Sequence, residues 1–331
     1  MTRRTLILKS LRHHARAHLG TLLGAVVASA VLIGALVVGD SVRFSLRQQA
    51  LNRLGDIHLA VVQHDRYFRA ALADELDLGE SVTAAPILRL PVFALSIKNQ
   101  NSTERVPNVQ LMGVDTNFWK IAKRGRDFPV LDISGIGSTD IVVDVLVNQR
   151  LADRLKIKLG DLFQVRIAKP SLLPRDVPLA VEGEFDDLVV EMTLRVKGVL
   201  DTQSLGNFNL RPDPIPPFNI FVPLKALKGL VGEQKENPSL LKGMANTLVV
   251  AAKAGQAPAN LLDDASAQLA KHWKLADAQL ELQLVEAKQG PSMVELITDR
   301  VFLDEYMVAA AEAAGRDGNG SQTILAYMIN R

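Results

Sequence analysis

The chain has 331 residues, 48% of them hydrophobic and 22% charged, which leaves room for one anchor and one or two folded domains. Its net charge is +2, but residues 1–39 hold Arg3, Arg4, Lys9, Arg12 and Arg16 with no acid, and removing these five leaves the rest net negative by three. A body of that sign excludes a nucleic-acid surface, and a 5% aromatic share argues against an aromatic platform for sugars or bases. The absence of cysteine excludes disulfides, thiol catalysis, iron–sulfur clusters and a lipidated cysteine.

Residues 1–18 form a basic leader. Leu8, Leu11, Ala15 and Leu19 fall near helical spacing, with Lys9, Arg12 and Arg16 elsewhere on the wheel. That pattern predicts a short amphipathic helix in the inner membrane interface. His13, His14 and His18 read as interfacial polar residues rather than metal ligands.

Residues 19–39 run without a charge, with Thr21 and Ser29 as the polar side chains. At about 1.5 Å per residue the run covers roughly 30 Å, the thickness of a hydrocarbon core. In lipid the backbone must satisfy its own hydrogen bonds, so the run is predicted to be a helix. Gly20, Gly24 and Ala28 repeat a small residue every fourth position and form a candidate face for partner helices. The leader charges all precede the span and Asp40 follows it, which places the N-terminus in the cytoplasm and the body outside. A buried soluble helix would show a polar stripe, which this run lacks. A cleaved signal peptide would use Ala28-Ser29-Ala30, but the apolar run continues through Val38 and the basic region before it is long. The expected location is the bacterial inner membrane, with one pass in this chain.

In residues 40–55, Val42, Leu46, Ala50 and Leu54 recur at i, i+4, predicting that the helix continues as a stalk and stops at Gly55. Residues 56–331 are expected to form the extracytoplasmic domain, an α+β mixture. Strands are predicted at 57–62, 82–90, 92–98 and 106–114, the middle two broken near Pro91 and the last closing a hairpin through Asn99–Ser102. Residues 67–78 read as a helix with Phe68, Leu72 and Leu76 on one face. A short helix at 148–155, a Gly160-Asp161 turn, strands at 162–167, 188–200 and 219–222 and a helix from Lys225 follow, with a proline-rich loop (Pro212, Pro214, Pro216, Pro217) before the 219–222 strand. Residues 232–243 read as a linker. A strand at 247–251, a helix at 259–269 and a strand at 280–286 suggest a βαβ-like unit. The chain ends inside the apolar segment 327–331, which predicts a truncated domain.

No catalytic constellation stands out. There is no phosphate-binding P-loop, no nucleophile elbow and no His-Glu-x-x-His pair. Gly135-Ile136-Gly137-Ser138 reads as a turn, and His64-Asp65-Arg66 as a solvated loop. Glu182, Glu184, Asp186, Asp187 and Glu191 lack calcium-loop spacing and read as an exposed acidic hairpin. No cofactor is expected in this chain, and the body points to transmission, binding or assembly rather than to an enzyme.

Several local patterns in order resemble the N-terminal part of an ABC-transporter permease of the MacB/FtsX type. They are Gly39-Asp40-Ser41-Val42-Arg43 and Leu51-Asn52-Arg53-Leu54-Gly55 behind the single span; residues 109–115, Val-Gln-Leu-Met-Gly-Val-Asp; residues 148–155 closed by Gly160-Asp161; and the strands at 194–199 and 218–224. The resemblance implies a MacB-like periplasmic core domain and four spans, of which this chain holds one. It also implies a dimer of permease copies, a cytoplasmic ATPase partner where ATP is hydrolysed, and stalk helices that carry ATP-driven motion outward to an envelope partner or cargo. Two rival readings are a single-pass binding or scaffold protein of the envelope and a membrane-tethered hydrolase.

Overall fold

Two helices open the chain, α1 (Arg3–His13) and α2 (Ala15–Leu54), with His14 between them. The computed structural model describes residues 3–63, 66–96, 104–122, 133–134, 142–168, 189–211, 213–230, 243–253, 258–285, 293–298 and 305–316. At about 1.5 Å per residue α2 is roughly 60 Å long, about twice a hydrocarbon core. It is apolar and long enough to cross a membrane near the N-terminus, and Leu22, Val31 and Leu36 on it are exposed. The hydroxyls of Thr21 and Ser29 donate back to the carbonyls of His18 and Ala25, so even these polar groups are satisfied within the helix.

The body follows as β1 (Ile57–Val62), β2 (Phe68–Arg69), α3 (Leu72–Glu75), β3 (Val82–Ser96), β4 (Arg105–Val114), α4 (Thr116–Ala122), β5 (Ile133–Ser134), β6 (Val142–Asn148), α5 (Gln149–Leu155), β7 (Leu162–Ala168) and β8 (Val189–Leu200). Then come β9 (Phe218–Pro223), α6 (Leu224–Leu230), β10 (Met244–Ala245), β11 (Thr247–Ala252), α7 (Leu261–His272), β12 (Glu281–Val285), β13 (Met293–Ile297) and α8 (Glu305–Arg316).

The main sheet runs β1-β11-β3-β4-β9-β6-β8-β7, and β7 pairs back onto β3. Six strands, β3, β4, β9, β6, β8 and β7, therefore close on themselves as a barrel. Strand β3 permits this because it changes neighbours along its length. Residues 82–87 pair with β11 and residues 92–96 with β7, while its other edge holds β4. Pro91 falls between those two partners and is exposed, where a missing N–H is tolerated. The two strands expected on either side of Pro91 are thus one strand.

Alternation along the strands sorts the core into three clusters. Leu88, Leu90, Leu111, Val145, Phe163, Leu194 and Ile220 belong to one, which α5 and α6 complete with Leu151 and Leu227. The opposite face of β3, β4, β9 and β6 carries Ile87, Met112, Phe221 and Leu146, covered by Phe118 of α4 and by Leu205 and Phe208. The third cluster gathers Phe68 and Leu72 against Leu248 and Val250 of β11.

Two further expectations change. The helix expected at 67–78 splits, because residues 68–69 pair with β10 and only Leu72–Glu75 is helical. Phe68, Leu72 and Leu76 still reach one cluster, so the apolar spacing survives without the helix. The expected βαβ-like unit does not form, since β11 sits in the main sheet while β12 pairs with β13 in a separate two-stranded sheet. Residues 99–102, 135–138, 182–187, 232–242 and 327–331, together with His64, Asp65 and Pro212, lie outside the described residues.

Candidate functional site: the helix–domain junction

The last residues of α2 turn from a solvent-exposed rod into part of the outer domain. Leu54 packs against the cluster of Ile87, Met112, Phe118 and Leu205, and Ile57 joins it from β1. Arg53 is turned inward and only 6% exposed. Its guanidinium donates through Nη1 to the carbonyl of Asp213 and through Nη2 to that of Pro214 at 3.0 Å. Hydrogen bonds from a charged donor are about twice as strong as neutral ones, so Arg53 is a firm hold on that loop.

Gly55 closes the helix, donating its N–H to the carbonyl of Leu51 at 3.1 Å. Its φ of 61° and ψ of −131° lie in a region that side chains avoid. A Cβ there would sit 2.9 Å from Cδ2 of Leu205. The helix thus ends where it does because only glycine allows the chain to turn directly onto Leu205.

Leu205 belongs to residues 201–211, a segment laid like a strap across the sheet. Asp201 caps the single 3-10 turn Thr202–Ser204 by accepting from the Ser204 N–H at 2.8 Å. Gly206 then folds back and donates to the Asp201 carbonyl at 2.9 Å, in a space where a Cβ would lie 2.6 Å from two backbone oxygens.

Two buried asparagines fasten the strap to the sheet. Asn148 ends β6, and its Oδ1 accepts from the N–H of Leu151 at 3.1 Å and that of Asn219 at 3.2 Å. Its Nδ2 donates to Asn207 Oδ1 at 3.1 Å and to the Pro217 carbonyl at 2.8 Å. One side chain therefore caps α5, joins β6 to β9 and ties down the connection between β8 and β9 at Asn207 and at its last residue, Pro217. Asn219 Nδ2 donates to the carbonyls of Gly206 at 2.9 Å and Phe208 at 2.8 Å. The helix end, the strap and the barrel wall are thus joined by one continuous set of contacts.

Several ionised groups of the domain are engaged in structure. Asp277, 1% exposed, accepts from the backbone N–H and guanidinium of Arg69 and from the backbone N–H of Lys274. Glu75 accepts from the same guanidinium at 2.7 Å and from Lys274 Nζ at 3.1 Å. Those two hydrogen-bond donors, Arg69 first, pull its carboxyl down to about 2. The same bonds, to Glu75 and then Asp277, raise Arg69 further above its ordinary value. Burial pushes the Asp115 carboxyl up, against the opposing pull of the Phe118 N–H that it accepts at 2.9 Å to cap α4. Among the described residues no three His, Cys, Asp or Glu side chains gather to hold a metal ion.

The residues singled out by spacing fall in different surroundings. Gly20, Gly24 and Ala28 lie on α2 within the exposed apolar stretch, and a Cβ at Gly20 or Gly24 would meet nothing within 4 Å. Val42 and Leu46 are exposed, Ala50 is half-buried, and Leu54 is the stalk residue that enters the domain core. Arg53, Gly55, Asn148 and Asn219 were legible as members of local patterns but not as a junction, because their partners at 201–217 are distant in sequence. The polar Asn at the end of an apolar strand and immediately before a helical repeat is the one signal that could have marked Asn148 as a cap, whereas the expected helix began at Asn148 itself.

Residues 19–268 match the family model described as the MacB-like periplasmic core domain, which is more than half of the chain. Among solved structures, the chain is similar to a crystal structure of a domain from Porphyromonas gingivalis assigned as a permease protein. The identity is 11% and the TM-score 0.32, over 68% of this chain and 88% of that one. Among curated proteins there is no match.

Proposed function

This chain belongs to the MacB-like periplasmic core domain family, and from that premise we propose that it is a permease subunit, or the N-terminal part of one, of an ABC transporter of the MacB/FtsX type. Residues 19–39 of α2 cross the inner membrane with the basic leader in the cytoplasm, residues 40–55 form the stalk, and residues 56–331 stand outside. A cytoplasmic ATPase hydrolyses ATP, a second permease copy pairs with this one, and the outer domain delivers the motion to an envelope partner or cargo.

The observation that supports this reading is the continuity of α2. It is one unbroken helix of 40 residues whose far end is built into the domain through Arg53, Leu54 and Gly55. A rod that frayed at the membrane surface or met the domain through a loose linker could not transmit a tilt or a rotation. Gly20, Gly24 and Ala28 would pack against other spans, and Val42, Leu46, Ala50 and Leu54 would form the stalk's apolar side.

The test is to reconstitute the full permease with its ATPase and replace Leu46 with Pro. Proline removes a helix hydrogen bond and clashes with the preceding turn, at a cost of about 3 kcal/mol or more. This chain has no cysteine, so one cysteine introduced into it carries a reporter fluorophore without competing sites among its 331 residues. ATP hydrolysis should persist while the ATP-dependent signal from the outer domain is lost. A Leu46→Pro protein with normal coupling would remove the rod from the mechanism.

A further inference from the structure

The inner end of the long helix carries charge that no neighbouring part of the chain balances. Lys9 and Arg12 lie three residues apart on α1, and Arg16 follows four residues later in the first turn of α2. All three are exposed, as is Arg4. His14 stands between the two helices at φ −101° and ψ 22°. The turn is carried across it by bonds from the His14 N–H to the Ser10 carbonyl and from the His18 N–H to the His14 carbonyl, both 3.0 Å. No acid precedes Asp40 in the sequence. Asp40 lies about 36 Å beyond Arg16 along α2, several times the screening length of ~10 Å at 0.1 M salt.

Left alone, this arrangement is electrostatically costly. Like charges three and four residues apart on a helix repel. Neither α1 nor α2 has an acid in its first turn, and cations there face the positive end of the helix dipole. An anion from outside the chain relieves both costs. Position favours a lipid over an acidic protein. Arg16, Arg12 and Lys9 stand roughly 4–15 Å before Leu19, where the uncharged run begins, and a headgroup layer adds about 5–8 Å to each side of the hydrocarbon core. Their stems are long enough to bring the outer two charges back to that layer. Beside them Leu6, Ile7 and Leu11 of α1 are more than half exposed. Aliphatic side chains next to cations suit the boundary between headgroups and acyl chains.

We propose that Lys9, Arg12 and Arg16 bind the anionic headgroups of phospholipids in the leaflet that the leader enters, with Leu6, Ile7 and Leu11 seated at the acyl boundary beside them. This rests on the reading that residues 19–39 cross the membrane with the leader on the cytoplasmic side. The bound lipids hold the inner end of α2 at the membrane surface, as Arg53 and Leu54 hold its outer end to the domain.

The experiment uses the full chain with a donor fluorophore on Ser10→Cys, an exposed position of α1. The protein is placed in phosphatidylcholine liposomes with a trace of phosphatidylglycerol or of phosphatidylcholine that carries the acceptor on its acyl chain. Energy transfer then gives the relative association of the two lipids with the leader. Phosphatidylglycerol should be favoured by about tenfold or more, at about fivefold for each cation near the surface. The preference should fall toward parity at 1 M salt, where the screening length is about 3 Å. Arg12→Gln should lower it by about fivefold, Arg12→Lys should keep it, and Arg47→Gln on the stalk should leave it unchanged. Equal transfer to the two lipids would overturn the proposal, assign the charges to an acidic protein surface and let the transport reading stand. A preference that Arg12→Gln leaves intact would equally overturn it, since the headgroups would then be held elsewhere. Transfer to neither lipid would place the leader away from the bilayer and overturn both.

Discussion

Replacing Gly55 with Ala tests the junction at its tightest point. The backbone there, at φ 61° and ψ −131°, costs an L residue about 1–3 kcal/mol before any contact is considered. The new methyl would lie 2.9 Å from Leu205 Cδ2, against roughly 3.5–4.0 Å for relaxed carbon contact. Leu205 has little freedom to yield, being buried and itself at φ 57°. Overpacking of this kind adds about 1–3 kcal/mol. A total of about 3 kcal/mol corresponds to a fall in Tm of roughly 6–12 °C for a domain of this size. The chain has two tryptophans, and Trp119 packs on the cluster that Leu54 and Leu205 share, so intrinsic fluorescence follows the melt at the junction. Gly79→Ala is the control, since Gly79 also has positive φ but open space around its Cβ position. A double-mutant cycle with Leu205→Ala isolates the steric part, which should appear as a coupling of about 1–2 kcal/mol. If Gly55→Ala melts within a degree of the parent, or if the two substitutions are additive, the close fit between helix end and strap is not what holds the junction.

Asn148→Ala should destabilise the domain by about 3 kcal/mol, combining a lost helix cap with buried backbone groups left unpaired, as read by urea unfolding; a change below about 0.5 kcal/mol would mean that the strap is held elsewhere. Glu75 has a folded-state pKa of about 2, below its ordinary 4.5, so its contribution is complete above about pH 4.5 and is lost as pH falls toward 2. The stability gap between parent and Glu75→Gln should therefore be flat at neutral pH and shrink through that window, and a gap that widened on acidification would contradict the assigned bonds. Gly24→Leu should weaken association between spans by about tenfold, ~1.4 kcal/mol, measured by energy transfer between labelled chains in liposomes. Unaltered association would exclude Gly24 from a packed face.

How much could be read in advance depended on whether the deciding partner was near in sequence. Strands at 57–62, 162–167 and 219–222 and the helix at 148–155 were legible because apolar alternation and helical spacing act over a few residues. The helix expected at 67–78 failed for the complementary reason. Its apolar spacing suited a helix, but residues 68–69 pair with Met244–Ala245, and Asp277 captures the N–H of Arg69 across about two hundred residues of chain. Pro91 is similar, since local chemistry reads it as a break while the exchange of neighbours along β3 makes it harmless.

The amino-acid sequence by itself determined the long apolar helix and its basic flank, because a bilayer demands length, apolarity and charge asymmetry that are written residue by residue. It also carried the local motifs, with Gly55 marking the end of the rod. Tertiary structure alone decided that the sheet closes through β7 onto β3, and that Arg53, Leu205, Asn148 and Asn219 meet beneath one strap. Barrel closure and the polar fastening of a loop are set by pairings between segments far apart in the chain, and no local preference encodes which of the available strand edges and carbonyls will be chosen.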